Sequence, residues 1–290
     1  MADTVGEGFR VFHGWLTPTG GDTERAKRHR SSIEDCLTRD FGITRFFRIG
    51  SFGNGTSIHN YSDVDYLAEF PKRHVDGDSA AFLRKVCRVL EARFPRTGVK
   101  VDSPAVLVPF GSDKSEWTEV VPADRMGETK LGYAMYDIAD DSGGWLKSSP
   151  ESHNAYVAGT DSKLGGKVKP LIRFVKAWNF MQDVGISSFY LELFTTKYAA
   201  DESAIIHSMD VQRALGRLKD SELAPLEDPR GISGAVSACQ GSLARWGAQE
   251  KVSEAYEWAS KARAAENADR TAEAFRWWDK VYAGSFPAYY

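Results

Sequence analysis

Cysteine is scarce in this 290-residue chain, and its spacing excludes two classes of protein. The three cysteines, Cys36, Cys87 and Cys239, lie far apart and form no CxxC pair. We therefore expect reduced, mostly buried thiols rather than the disulfide framework of a small secreted domain. The six histidines show no ligand spacing with each other or with cysteine, which argues against a zinc site.

Long apolar runs and an excess of positive charge are also missing. No run approaches the length of a membrane span, and the N-terminus lacks the basic-then-apolar pattern of a signal segment. A cytoplasmic protein with no membrane partner is expected. The formal net charge of −3 argues against a broad basic face for long nucleic acid. A local basic site for nucleoside triphosphates remains compatible with that charge.

Residues 50–65 combine a glycine-rich loop with two aspartates one residue apart. Glycines 50, 53 and 55 add no side-chain bulk, so backbone N–H groups can approach a phosphate there. The alternating run that follows predicts a strand, on which Asp63 and Asp65 face the same side. Two such carboxylates repel each other unless a cation lies between them, and Mg²⁺ is the usual one. The pattern is typical of phosphoryl or nucleotidyl transfer, while the alternative for the aspartates is a solvated strand end.

Hydrophobic periodicity predicts an α+β fold, a mixed sheet with flanking helices followed by a helical lobe. Helices are predicted over about 22–40, with Ile33, Cys36 and Leu37 on its apolar face, and over about 79–94. Strands are predicted over 44–49, 63–70, 99–101, 105–108 and 117–121. A Gly/Ser/Pro-rich passage over 140–150 predicts a crossing, so residues 1–150 form one lobe and 151–290 the other. The active site is expected in the cleft between the lobes.

At its Gly-Ser turn and Asp-x-Asp pair the chain resembles the Pol β-like nucleotidyltransferase superfamily. Further segments, in order along the chain, resemble bacterial cGAS/DncV-like nucleotidyltransferases (CD-NTases). They are the strand 117–123, the helix 172–178, the helix start 188–192 and the closing helix 274–287. This resemblance implies a Pol β-like catalytic lobe and a helical lobe that closes over the nucleotide.

The resemblance also implies a third acid. Glu119 falls where the family places it, although Asp is frequent there, and Asp102 on a neighbouring predicted strand is the alternative. Asp63, Asp65 and Glu119 would then be catalytic and would hold two Mg²⁺ ions, with Mn²⁺ as a substitute. A surface residue on an alternating strand is the competing interpretation of Glu119.

The nucleotide-binding residues implied by the resemblance are Gly50, Ser51, Lys176, Ser188 and Phe189. Competing interpretations are an ordinary turn at Gly50 and Ser51, a helix N-cap at Ser188 and a core ring at Phe189. Lys169 and Arg173 share the helix face of Lys176, for which a solvated face is the alternative. Asn54, Thr56 and Ser57 either assist or only close the turn. The aromatic cluster of Trp277, Trp278, Tyr282, Tyr289 and Tyr290 is interpreted as packing of the last helix.

The function implied by the resemblance is condensation of ATP, GTP, UTP or CTP into a cyclic di- or trinucleotide second messenger, with pyrophosphate release. In this family the product activates a separate effector protein in bacterial antiphage defence (CBASS). One alternative is nucleotidyl transfer onto an RNA end, a protein or a small molecule. Another is a non-catalytic nucleotide-binding protein that kept the fold, which the intact aspartate pair disfavours.

Overall fold

A computed structural model describes residues 2–18, 20–59, 61, 63–75, 77–110, 116–140 and 142–290, with the backbone alone for 20–26 and 116. The chain forms two compact units. We call residues 18–55 and 62–155 the sheet unit, and residues 1–17, 56–61 and 156–290 the helical unit. The predicted two-segment division therefore differs from these units at residues 1–17, 56–61 and 151–155. The assignment of a catalytic lobe to 1–150 and a closing lobe to 151–290 stays a prediction.

The helices of the described residues run, in chain order, α1 (Val5–Leu16), α2 (Gly20–Phe41), α3 (Gly50–Asn54), α4 (Ser79–Arg93), α5 (Pro150–Lys163), α6 (Val168–Met181), α7 (Ser188–Ala200), α8 (His207–Asp220), α9 (Ser242–Asn267) and α10 (Thr271–Val281). A 3₁₀ turn spans Lys72–His74. The strands are β1 (Arg45–Arg48), β2 (Val64–Phe70), β3 (Lys100–Asp102), β4 (Ala105–Phe110), β5 (Glu116–Glu128), β6 (Ala134–Ala139), β7 (Trp145–Ser148), β8 (Leu226–Glu227) and β9 (Ala235–Val236).

In the sheet unit, seven strands of the described residues form one mixed sheet. Its order is β1-β2-β5-β4-β3, with β6 pairing β5 and β7 pairing β6. The β2–β5 pair is parallel, and the other neighbours are antiparallel. This topology matters for the site because the parallel pair brings the N-terminal parts of β2 and β5 to one end of the sheet.

One face of this sheet carries the main core of the unit. Side chains of α2 and α4 pack there with Tyr66, Ala68 and Phe70 of β2. Ile33, Cys36 and Leu37 are fully buried on α2, as their spacing predicts. Asp78 caps α4 by accepting from two backbone N–H groups of the first turn. The helices thus cover the face of even-numbered β2 residues.

The opposite face presents the odd-numbered residues of β2. Leu67 lies there in a smaller cluster with Ala123 and Tyr136. Because side chains alternate along a strand, Asp65 lies on this second face, away from the helices α2 and α4. The sheet therefore separates its packing face from the face that carries the acids.

The helical unit is built around one large apolar core. Phe9 of α1, Phe174 and Trp178 of α6, and Trp278 and Tyr282 at the end of the chain are all buried in it. The interpretation of the C-terminal aromatics as packing is confirmed for Trp278 and Tyr282, whereas Tyr290 is 70% exposed. The helix α6 begins at Val168, so Pro170 lies in its first turn, where a missing N–H costs no hydrogen bond.

Several elements depart from the predictions. The glycine-rich loop contains the short helix α3, β5 continues to Glu128, and the predicted crossing at 140–150 contains β7. The three cysteines are free thiols, Cys36 buried and the other two partly buried, as predicted. None of the helices in the described part of the chain has the length and apolarity that crossing a membrane requires.

Candidate active site

The parallel pairing of β2 and β5 brings the predicted acids of the sheet unit together. Asp65 lies directly opposite Glu119 in the strand register, and paired strands lie only about 4.8 Å apart. Asp63 immediately precedes β2, two residues before Asp65. Asp102, the alternative third acid, ends the outer strand β3 and is exposed. The register therefore makes Glu119 the partner of the aspartate pair.

The electrostatics of these acids reflect burial among like charges. Burial raises the pKa of Asp63 to about 6, and repulsion from Glu119 and Asp102 adds to this. Burial also raises the pKa of Glu119, as does Asp102, while a hydrogen bond with Asp65 acts in the opposite direction. Raised carboxyl pKa values mean that the ionised forms are disfavoured where they stand. A bound cation would reverse that preference.

Gly50 fits the turn against the acids so closely that no side chain has room there. Its backbone lies in the left-handed region, with φ +59°, and a Cβ placed on it would be 1.9 Å from Oδ2 of Asp65. The Ile49 N–H donates to the Asp65 carbonyl at 2.9 Å, so the turn and the strand are also bonded directly. Gly55 then ends α3 in the left-handed conformation. Glycine at position 50 is therefore a steric requirement of this carboxylate.

The chemistry of the acids fits a hard divalent cation. Carboxylate oxygens are the donors that Mg²⁺ and Mn²⁺ prefer, and Asp65 lies opposite Glu119 in the strand register. Among the described residues, no group of three or more His, Cys, Asp or Glu side chains stands in an arrangement that would hold a metal ion. The acids would therefore have to adjust when a cation binds, and their role as ligands stays a prediction.

The predicted cationic face of α6, in the helical unit, is largely buried. Lys176 is 1% exposed, and its Nζ donates to the carbonyl of Thr56 at 3.4 Å. Nε of Arg173 donates to the carbonyl of Ser57 at 3.0 Å, while Lys169 is partly exposed. For Arg173 and Lys176 the alternative of a solvated face is therefore wrong. A triphosphate-binding role for Lys176 stays a prediction.

The start of α7 separates the two interpretations of Ser188 and of Phe189. The N-cap is Ser187, whose Oγ accepts from the Tyr190 N–H, so the cap alternative for Ser188 is wrong. Phe189 is 38% exposed and does not belong to the core. The nucleotide-binding roles of Ser188 and Phe189 stay predictions.

Sequence reasoning assigned no role to a buried acid on α7. Glu192 is 7% exposed and accepts a hydrogen bond from the hydroxyl of Thr56, which is fully buried. The available signal was a glutamate set among apolar and aromatic neighbours, because buried glutamates almost always have partners. Thr56 and Ser57, for which two roles were open, are both buried here.

Residues 4–160 match the model of the SMODS family, the second messenger oligonucleotide or dinucleotide synthetase domain. The chain belongs to the SMODS family. A curated relative from Bacillus cereus (strain VD146), named a probable cyclic nucleotide synthase, is 28% identical over 176 residues. That match covers 60% of the SMODS chain described above and 53%, about half, of the relative's length.

Solved structures share the fold of this SMODS chain. CdnC of E. coli MS115-1 with ATP superposes with a TM-score of 0.75 at 17% identity, covering 99% of both chains. DncV of Vibrio cholerae in its 3′-deoxy GTP bound form gives a TM-score of 0.71 at 16% identity, covering 94% of this chain and 92% of that one. The expected Pol β-like CD-NTase fold is confirmed.

Proposed function

We propose that this protein joins nucleoside triphosphates into a cyclic di- or trinucleotide second messenger with release of pyrophosphate. The observation that carries the proposal is the turn at Gly50, packed on Asp65 directly opposite Glu119. A backbone turn that meets clustered carboxylates without side-chain bulk suits a triphosphate and its divalent cations. Membership of the SMODS family and the cyclic nucleotide synthase name of the Bacillus relative support the same activity.

In the proposed reaction, a 2′- or 3′-hydroxyl oxygen of one nucleotide bonds to the α-phosphorus of another, and pyrophosphate leaves. Asp63, Asp65 and Glu119 would hold two Mg²⁺ ions, for which Mn²⁺ would substitute. When bound, these ions would lower the pKa of the attacking hydroxyl and neutralise the leaving pyrophosphate. Gly50 and Ser51 bind phosphate oxygens through backbone N–H groups and the Ser51 hydroxyl.

Lys176, Ser188 and Phe189 are the other residues proposed to contact a nucleotide, Ser188 at a phosphate and the exposed Phe189 ring at a base. Because Lys176 is 1% exposed and donates to the Thr56 carbonyl, its Nζ would have to leave that carbonyl to meet a phosphate. Nucleoside triphosphates as ligands agree with the Vibrio cholerae DncV structure that contains ATP and GTP. The proposed setting is the bacterial cytoplasm, where the product activates a separate effector protein during antiphage defence.

The test is incubation of the purified protein with all four nucleoside triphosphates and Mg²⁺ or Mn²⁺, followed by phosphatase treatment and mass spectrometry. A phosphatase-resistant product of two or three nucleotides is expected, together with metal-dependent pyrophosphate release. The double variant Asp63→Asn with Asp65→Asn is the control and should form none. If wild type and control give the same signal, the proposal is wrong. Transfer to another acceptor would instead give product only when an RNA, protein or small-molecule acceptor is added.

A further inference from the structure

The chain between the Gly-Ser turn and the acids passes through the helical unit. The turn belongs to the sheet unit up to residue 55, residues 56–61 belong to the helical unit, and the sheet unit resumes at residue 62. We call residues 56–59 the strap. The strap thus connects two pieces of the candidate active site while packing with helices that contain neither piece.

The strap is held by polar contacts from three helices. Thr56 donates its hydroxyl hydrogen to Oε2 of Glu192 on α7. The Ser57 carbonyl accepts from Nε of Arg173 on α6 at 3.0 Å, and the His59 N–H donates to the Leu16 carbonyl of α1 at 2.9 Å. Together with Lys176 at the Thr56 carbonyl, these contacts hold Thr56, Ser57 and His59. Ile58 is 1% exposed in the core, and its carbonyl accepts from the Tyr61 N–H at 3.1 Å.

These contacts are costly to break because they are buried. Thr56 is 0% exposed and Glu192 is 7% exposed, so removing the hydroxyl leaves a buried carboxylate oxygen without one of its donors. Hydroxyl-to-carboxylate bonds are also among the stronger hydrogen bonds of proteins. Arg173 is fixed in turn by His13, whose Nε2 lies 2.8 Å from NH1. The strap is therefore pinned, where an ordinary loop would be free to move.

Pinning the strap restricts both of its neighbours through the chain itself. Gly55, the end of α3, is bonded directly to Thr56, and Asp63 follows His59 by four residues, a reach of at most about 14 Å. We propose that Thr56, Glu192 and Arg173 are positioning residues, which hold the strap so that the Gly-Ser turn and the Asp63/Asp65 pair keep their catalytic geometry. This inference rests on the proposed function, because its principal readout is turnover.

The test compares Thr56→Val, which removes the hydroxyl at nearly constant shape, with Thr56→Ser, which keeps it. Thr195→Val is the matched control, since Thr195 is also fully buried on α7 but its hydroxyl meets no hydrogen-bond partner among the described residues. A displacement of about 1 Å costs as much as roughly a hundredfold in rate. We expect Thr56→Val to lower kcat about tenfold with KM within about threefold. Thr56→Ser and Thr195→Val should keep kcat within about twofold of wild type.

A kcat for Thr56→Val within about twofold of wild type would overturn the proposal, whatever happens to the melting temperature. If Thr56→Val does not fold, Glu192→Gln replaces it, because the amide oxygen still accepts but without charge assistance. That variant should lower kcat about threefold, and an unchanged kcat again overturns the proposal.

Hydrogen exchange separates this inference from the proposed function. If wild type forms no nucleotide product, the proposed function fails, but amide exchange can still be measured on the inactive protein. Thr56→Val should then exchange about tenfold faster in peptides covering residues 50–65, with the strands β4 and β6 unchanged. Unchanged exchange over residues 50–65 overturns the positioning role.

Discussion

The two units bury charge in opposite ways. At one end of the sheet unit, Asp63 and Glu119 are partly buried, and burial together with neighbouring acids raises the pKa of both. In the helical unit, Arg173 is partly buried and Glu192 is buried, and each meets a polar group of the strap. Charged groups paired with a polar group of the strap hold the chain in place, whereas acids held near one another favour a bound cation.

The difference explains why the proposed site rests on the acids rather than on Arg173. Carboxylates held close to one another destabilise a fold, so such a cluster favours a functional reason such as cation binding. A buried arginine that donates to a backbone carbonyl already has a structural reason. The two kinds of charge therefore predict different responses to substitution.

The largest expected effect comes from removing the charges of the two neighbouring aspartates. Asp63→Asn with Asp65→Asn should lower product formation at least about a thousandfold, because the cation ligands are lost. The melting temperature should stay equal or rise, since the repulsion among the carboxylates is relieved. Turnover by mass spectrometry and thermal unfolding by circular dichroism measure the two quantities.

A matched control for this double variant removes a charged side chain that already has an ion-pair partner. Lys72→Met breaks the ion pair of Lys72 with the buried Asp124 in the same unit, away from the N-terminal end of β2. It should lower stability and leave turnover unchanged. Retained turnover in the double aspartate variant would refute the assignment of Asp63 and Asp65.

The next effect tests the close fit of Gly50. Gly50→Ala places a Cβ 1.9 Å from Oδ2 of Asp65. Gly165 in the helical unit also has a left-handed backbone, with φ +66°, but the Cβ of Gly165→Ala would have no atom within 4 Å. Both should lose about 1–2 kcal/mol of stability from left-handed strain. Only Gly50→Ala should also lose turnover, by about tenfold to a hundredfold, because it displaces the carboxylate.

Denaturant unfolding and steady-state kinetics on both glycine variants provide the check. Equal turnover losses in Gly50→Ala and Gly165→Ala would show that strain alone, rather than contact with Asp65, controls activity. A turnover loss confined to Gly50→Ala would show that the rate depends on the position of the Asp65 carboxylate.

The fold was predictable from sequence where the pattern is local. The helix α4 follows from apolar residues at helical spacing, and its predicted range of about 79–94 agrees with the observed Ser79–Arg93. The helix α1 was missed because Gly6, Gly8 and Gly14 lower its intrinsic propensity. Burial against the core stabilises it instead, and Gly8 is needed there because a Cβ would lie 3.0 Å from the Phe275 ring.

The candidate site, too, could be proposed from sequence only where its residues lie close together in the chain. Gly50, Asp63 and Asp65 lie within sixteen consecutive residues, so one short segment carries the signal. The bond between Thr56 and Glu192 joins residues 136 positions apart, and no local pattern pairs them. The strands β6 and β7 were missed for a related reason, because each is defined by its partner strand rather than by its own alternation.

A pair of buried tyrosines extends the comparison between the units to neutral groups. Tyr136 in the sheet unit donates to Glu69 at 3.2 Å and accepts from Arg45 at 2.7 Å. Tyr282 in the helical unit is equally buried, and its hydroxyl has no hydrogen-bond partner among the described residues. Tyr136→Phe should therefore cost about 1–3 kcal/mol, whereas Tyr282→Phe should be neutral or stabilise by up to about 1 kcal/mol.

Urea unfolding of the two tyrosine variants measures these differences, and neither substitution changes the ring itself. A loss of more than about 1 kcal/mol in Tyr282→Phe would mean that its hydroxyl is satisfied in solution, for example by a buried water. Equal losses at the two positions would remove the contrast between the units.

The smallest expected effect is a pH dependence confined to the helical unit. Burial lowers the pKa of His13 to about 4, with Arg173 and His207 adding to the effect. The unfolded chain takes up this proton near pH 6.5 and the folded chain only near pH 4. The contribution of neutral His13 to the free energy of unfolding is therefore fully present above pH 6.5. It is lost progressively as the pH falls towards 4.

His13→Gln keeps a side-chain acceptor for Arg173 but removes the titration. Because His13 is only half-buried, the expected difference is reduced to about 1 kcal/mol of unfolding free energy at pH 5 relative to pH 7. Wild type should lose this amount relative to His13→Gln in urea unfolding at the two pH values. The acids of the sheet unit act in the opposite direction, since a raised carboxyl pKa adds stability as the pH falls. Their contribution is the same in both proteins, so it cancels when the unfolding free energy of the variant is subtracted from that of wild type. A parallel pH dependence in both proteins would show that folding leaves the pKa of His13 unshifted, and it would refute the assigned lowering by burial.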